Sequence, residues 1–410
     1  MPRSRLWIGV GAAVTASVLG VVLGLSAVVG FFPFTRSDPP DQAAGTAAGA
    51  AGSAIPSATL GQNVSPSSVR LPALTAAQMA GQRVIYSYQG QTPPSELLQL
   101  ISHGEAGGVI FFSQNISSNA QIASVISELE QADASPTNPV RAPLLLMTDQ
   151  EGGLIRRMSG GPLLSERQIG ESADPAAAAA EAGRSAGANL HGVGMNVNLA
   201  PVLDVYRSPG DFDDQFQRSY STNPQIVAGL GAAFVSAQQD QDVAATAKHF
   251  PGLGAAAQSQ DTDNEPVTLN LPLATIRNVD ELPYKAAIEA GARVVMVSWA
   301  VYPALDPTRP AGLSPAIVGG ELRNRLGFTG VTITDALEAG ALRAYGTIGN
   351  RAGLAAQAGM DLLLCSEQDV SEGEQAAASL AQGYSDGQLA KPAFTAALER
   401  IVALRASLAG

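Results

Sequence analysis

The feature that most constrains this chain is an alternation. From Leu71 onward, eight short runs rich in Val, Ile and Leu are separated by longer, mostly Ala-rich stretches with helical spacing. The runs are 83–88, 107–112, 144–148, 195–199, 244–248, 293–298, 330–334 and 360–364. Helical candidates lie at 95–102, 119–132, 176–190, 225–239, 280–290, 315–326 and 350–358, with two more at 372–384 and 392–409. Continuously apolar strands separated by helices belong to a parallel sheet covered on both faces. Eight such units in about 340 residues predict a closed (β/α)8 barrel of the TIM type. An open doubly wound sheet is the alternative, but no G-x-G-x-x-G follows the first run to support a dinucleotide-binding version.

The barrel is not the whole chain. No charged residue occurs between Arg5 and Arg36, a stretch longer than the roughly 20 apolar residues a membrane span needs. Residues 1–36 therefore read as a signal anchor, and Arg3 and Arg5 ahead of the run put the main domain outside the cell membrane. Secretion is the alternative if that segment is cleaved. Residues 37–70 are dominated by Ala, Gly, Ser and Pro and have no aromatic side chain, a composition that reads as a disordered tether. Residues 71–410 form the barrel domain.

The formal net charge of −12 argues against nucleic acid, which selects basic surfaces. The single cysteine, Cys365, excludes an internal disulfide and a paired-cysteine zinc site, and reads as a small buried apolar residue. The three histidines, His103, His191 and His249, share no metal-ligand spacing, so neither a metal nor another cofactor is expected. No sequence feature asks for a partner subunit, and a monomer is expected.

In a barrel the catalytic groups come from the C-terminal ends of the strands. Here those ends read Thr148-Asp149-Gln150-Glu151-Gly152-Gly153, Pro201-Val202-Leu203-Asp204, Lys248-His249, Ser298-Trp299 and Thr334-Asp335-Ala336-Leu337-Glu338. Carboxylates converging with hydrogen-bonding cations suit glycoside chemistry: one carboxylate attacks the anomeric carbon while an acid protonates the leaving oxygen. Trp299 is a candidate to stack on a sugar face.

At these residues the chain resembles glycoside hydrolase family 3, and within it the single-domain bacterial β-N-acetylhexosaminidases. The resemblance runs from about residue 71 to 409. It is carried by Asp149-Gln150-Glu151-Gly152-Gly153, by Asn198-Leu199-Ala200-Pro201-Val202-Leu203-Asp204-Val205, by Gln217-Arg218-Ser219-Tyr220, by Lys248-His249-Phe250-Pro251-Gly252 and by Thr334-Asp335-Ala336-Leu337. The resemblance implies that Asp335 is the nucleophile and that Asp149, Arg218, Lys248 and His249 bind the sugar. It implies a carbohydrate substrate, specifically a β-linked N-acetylglucosaminide from cell-wall-type glycan, cleaved from the non-reducing end with retention of configuration. Glu151 is expected to support these groups, and Arg156 and Arg157 to hold Asp149 or the loop in place.

One motif departs from that branch. There the K-H-F-P-G run leads to a D-x-H whose histidine, on a mobile loop, is the acid–base. Here the corresponding positions read Asp261-Thr262-Asp263, Leu253 replaces an earlier histidine, and no histidine follows His249. A loop carboxylate is expected in its place, with Asp263 first and Asp261 and Glu265 as alternatives. The remaining alternatives are a catalytically impaired glycan-binding homologue, and a β-glucosidase-type exo-glycosidase that uses the same loop acid.

Overall fold

The computed structural model describes residues 71–409. The expected anchor and tether lie outside the described residues. Within them, no helix is long and apolar enough to cross a membrane.

Eight parallel strands close into a barrel: β1 (Val84–Tyr86), β2 (Gly108–Ile110), β3 (Leu145–Thr148), β4 (Val197–Asn198), β5 (Ala244–Phe250), β6 (Val294–Val297), β7 (Val331–Ala336) and β8 (Leu362–Leu364). Each pairs with its sequence neighbours, and β1 closes on β8 with Val84 opposite Leu363. The expected TIM-type architecture is therefore the observed one. Successive side chains on a strand face opposite ways, and two apolar layers result. Ile85, Ile110, Leu145, Met147, Val294, Met296, Val331 and Ile333 pack inside the barrel. Val84, Tyr86, Val109, Leu146, Val295 and Val297 pack outward against the helices. Burial on both faces is why the strands read as unbroken apolar runs.

Helix starts follow capping chemistry. Asp174 and Asn223 cap the helices Pro175–His191 and Pro224–Gln239, each with proline in the first turn. The sequence reading started both one residue late, because proline at N1 is part of the helix: its missing N–H has no partner there in any case. The segment expected as a helix at 315–326 is wound as a π-helix over Ala316–Arg325.

The last helix, Lys391–Ser407, seals the barrel floor. Its Ile401 and Leu404, with Leu408 just beyond, join the interior layer. Its fully buried Arg405 donates to the carbonyls of Ala142 (2.6 Å) and Pro143 (2.7 Å), just ahead of β3. The opposite end, where the strands finish, carries the loops and the cleft.

Candidate active site

A cleft enclosing about 810 Å³, including its open mouth, lies over the C-terminal ends of the strands. Seven of the nine site residues expected from the sequence line it: Asp149, Arg218, Lys248, His249, Asp261, Asp263 and Asp335.

The cationic wall combines Lys248 on β5 with Arg157 and Arg218 from the segments after β3 and β4. Lys248 is buried near the end of β5; its Nζ donates to Asp149 Oδ1 (2.9 Å) and lies 2.8 Å from Glu151 Oε1. Arg218 grips Glu151 with two parallel bonds of 2.9 Å and donates to Asp213 Oδ1 at 3.0 Å. Arg157 stands 3.6 Å from Asp149. Burial alone would push Asp149 and Glu151 up, but the surrounding cations outweigh it. Asp149 lies below its ordinary value and Glu151 falls to about 2, so both stay ionised. Burial would lower Lys248, but Asp149 and Glu151 hold it raised. These groups form a preorganised, fully charged set of donors and acceptors suited to sugar hydroxyls.

His249 is fixed from behind. Its Nδ1 lies 2.7 Å from Asp204 Oδ2, and its backbone N–H reaches both Asp204 oxygens at 3.3 and 3.4 Å. Leu253 N donates to Asp204 Oδ1 at 2.5 Å. Burial lowers His249 to about 4, so the imidazole is neutral at pH 7, its Nδ1 donating to Asp204. Asp204 itself is raised to about 6 and the adjoining Asp213 to about 7, burial being the first cause for each. Asp204, Asp213 and His249 bring ligand atoms within 4.8 Å of one another. The set is tied by His249 to Asp204, Leu253 to Asp204 and Arg218 to Asp213 Oδ1, while Asp213 Oδ2 is buried without a hydrogen-bond partner among the described residues. Gly252 allows this turn: its φ of +133° suits glycine, and a Cβ there would lie 2.7 Å from Asp280 Cβ.

The opposing wall is acidic. Asp335, near the end of β7, accepts from Ala336 N at 2.8 Å. Asp263 stands on the rim as an exposed residue. Partial burial, then the charges of Asp335, Asp261 and Glu338, push its carboxyl up to about 7 against the pull of Arg218.

Two expectations are corrected. Trp299 does not face the cleft. It is fully buried, its Nε1 donates to the carbonyl of Ala336 at 2.8 Å, and the backbone of Gly312 lies against its ring. It supports the residue after Asp335 from beneath and has no free face for a sugar. Glu265 does not line the cleft either. The turn begun by Asp261, whose carbonyl accepts from Glu265 N at 3.0 Å, leaves Glu265 exposed outside it. Asp261 does line the cleft, but its carboxylate is engaged by Asp263 N (2.9 Å) and by the Asn264 side chain.

The sequence reading passed over Asp213, Phe212 and Thr262, which shape or line the cleft. Asp213 had a visible signal, standing five residues before Arg218 in an Asp-Phe-Asp-Asp-Gln-Phe-Gln-Arg run.

Residues 74–404 match the glycosyl hydrolase family 3 N terminal domain. The chain belongs to glycosyl hydrolase family 3. Within it, the chain is 46% identical over 337 residues to an uncharacterized secreted glycosyl hydrolase of Arthroderma benhamiae, covering 82% of this chain and 95% of that one. It is 35% identical over 280 residues to a beta-hexosaminidase of Nitrosomonas eutropha, covering 66% and 77%. Among solved structures it is similar to a family 3 beta-N-acetylglucosaminidase from Paenibacillus sp. at a TM-score of 0.77 and 34% identity. That match covers 82% of this chain but 64% of the other, so this chain spans a little under two thirds of it. A beta-N-acetylhexosaminidase from Beutenbergia cavernae gives a TM-score of 0.72 at 32% identity, over 81% and 99%. As a member of this family the chain is a glycoside hydrolase, similar to the beta-hexosaminidases.

Proposed function

We propose that this protein removes β-linked N-acetylglucosamine from the non-reducing ends of cell-wall-type glycans, with retention of configuration. Asp335 attacks the anomeric carbon as the bond to the leaving oxygen breaks, and Asp263 gives that oxygen its proton. In the second step the Asp263 carboxylate takes a proton from water, the water oxygen bonds to the anomeric carbon, and the ester to Asp335 breaks. Asp149, Arg218, Lys248 and neutral His249 hold the sugar hydroxyls. The observation that carries this reading is the Asp263 carboxyl, pushed up to about 7 in the same cleft as Asp335. A group with that pKa holds its proton for the first step and can release it for the second. Work outside the cell membrane fits the charge-free stretch between Arg5 and Arg36 and the secreted relative.

The test is trapping with 5-fluoro-N-acetylglucosaminyl fluoride, which keeps the 2-acetamido group and slows the second step. A covalent adduct on Asp335, located by peptide mass mapping and absent from Asp335→Ala, is expected. Turnover of aryl β-N-acetylglucosaminides by Asp335→Ala at the wild-type rate would overturn the nucleophile assignment. Binding of the sugar without adduct or turnover would make the protein a glycan-binding homologue.

A further inference from the structure

We infer that the loop carrying Asp263 is clasped in its working position by the segment that follows the nucleophile, and that Gly340 is the positioning residue of this clasp. The inference rests on the reading of Asp263 as the acid–base.

The clasp is made of main chain. Gly340 N donates to the carbonyl of Asp263 (2.7 Å), and Ala341 N to that of Thr262 (3.0 Å). Both N–H groups open the 3-10 helix Gly340–Tyr345, where the first N–H groups have no partner within the helix. The loop carbonyls supply those partners, so neither side is satisfied if the two segments part. The approach is too close for any other residue at Gly340: a Cβ would stand 2.1 Å from Asn264 O, 2.3 Å from Asn264 C and 2.9 Å from Asp263 O. All three are backbone atoms, so relief requires the Asp263–Asn264 backbone itself to move.

The rest of the loop is held in the same manner. At its entrance Phe212 N donates to Ala256 O at 3.0 Å, and the Gln215 side chain to Gln258 O at 2.9 Å. At its tip the Asp261 carbonyl accepts from Asn264 N (3.1 Å) and Glu265 N (3.0 Å), while its carboxylate receives Asp263 N. Thr262, between the two aspartates, is buried. At its exit the Val267 carbonyl accepts from Val301 N at 2.9 Å.

The side-chain chemistry explains why such a clasp would be needed. A carboxyl group reaches less far from its backbone than an imidazole, and a general acid must come within roughly 3 Å of the oxygen it protonates. With Asp263 where the hexosaminidase branch carries histidine, placement falls to the backbone. Gly340 lies five residues beyond Asp335 in sequence, so one segment carries the nucleophile and fixes the acid.

The test compares the full chain with Gly340→Ala and Asp263→Asn on aryl β-N-acetylglucosaminides, from 2,4-dinitrophenyl (needing little acid help) to phenyl (needing much). Gly340→Ala is expected to keep kcat/KM on the dinitrophenyl substrate within about threefold and to lose about 10²-fold on the phenyl substrate, within the range for a lost proton transfer. Trapping by the 5-fluoro fluoride should proceed at the wild-type rate, which reads the fold and the nucleophile separately from the acid. If Asp263→Asn depends steeply on the leaving group while Gly340→Ala loses equally on both substrates, or on neither, the clasp is wrong and the acid reading stands. If Asp263→Asn is flat across the series, the acid reading fails and the clasp's role falls with it. Should Gly340→Ala not be trapped at all, Ala341→Pro, which deletes the N–H given to Thr262 without adding bulk at Gly340, is put through the same comparison and the same outcomes apply.

Discussion

Glu151→Gln isolates what the buried cationic wall contributes to folding. Glu151 is 2% exposed and is the shared partner of two cations, Arg218 through two bonds of 2.9 Å and Lys248 at 2.8 Å. Its carboxyl is lowered from 4.5 to about 2. At ~1.4 kcal/mol per pH unit, that difference corresponds to about 3 kcal/mol of stability from the ionised group. The sign follows from the lowered value: the contribution is present in full above 4.5 and is lost as pH falls through about 2. Glutamine keeps an acceptor oxygen but removes the charge and sets an amide N–H₂ against two cations, so the loss at pH 7 should be at least of this order. For a domain of about 340 residues the unfolding entropy is about 0.7 kcal/mol/K, and 3 kcal/mol lowers the midpoint by about 4 °C. The assay is urea and thermal unfolding of wild type and Glu151→Gln from pH 7 to pH 2.5. The gap should hold from pH 7 to about 5 and narrow below 4. A gap under about 1 kcal/mol at pH 7, or one that does not change with pH, would refute the reasoning.

Two further outcomes are expected. Because Asp263 must be protonated to act as an acid and its carboxyl is pushed up to about 7, kcat/KM for a phenyl glycoside should fall above about pH 7. The dinitrophenyl substrate should be nearly flat there, and Asp263→Asn should remove the difference. Trp299→Phe keeps an aromatic ring at this position but deletes the indole N–H that donates to the Ala336 carbonyl, which should cost at least about 1–3 kcal/mol in urea unfolding. It should lower kcat by loosening the segment after Asp335 and leave KM unchanged; a rise in KM at constant kcat would return Trp299 to a sugar-stacking role.

Much of the barrel is legible because its rule is local. Burial on both faces makes each strand an apolar run, and the helix periods between them leave few ways to connect eight such runs. Asp149, Lys248 and Asp335 are legible for the same reason, since strand ends point at the mouth of a barrel. Trp299 also ends a strand, yet an indole at that position has two places to go. The space beneath the Ala336 carbonyl, with Gly312 on the ring face, is a matter of tertiary packing that no local pattern encodes. Glu265 misleads for a related reason. Three carboxylates within five residues look equivalent along the chain, but the turn around Asp261 puts Asp263 into the cleft and Glu265 outside it. Asp213 escapes because it acts on Arg218 and through the Asp204–His249 contact, both made by folding.

The division of labour among the cleft carboxylates follows from which charges fold beside them. Asp149 and Glu151 face Lys248, Arg157 and Arg218, and the cations hold them ionised despite burial. Asp263 is driven the other way, by partial burial first and then by the charges of Asp335, Asp261 and Glu338, with Arg218 opposing. Carboxyl groups of similar intrinsic acidity are thereby separated into fixed anions that can accept from hydroxyls and one group poised to exchange a proton near neutrality. Histidine would supply such a group by its intrinsic pKa. Here the same poise is assembled from burial and from neighbouring charges, so it depends on the geometry of the loop. A change that moves Asp263 away from Asp335 and Asp261 weakens its placement and also lowers its pKa toward an ordinary aspartate. The clasp at Gly340 therefore bears on two properties at once. In Gly340→Ala the pH at which phenyl-glycoside turnover falls should shift downward together with the rate, whereas a purely steric loss of reach would lower the rate and leave that pH in place.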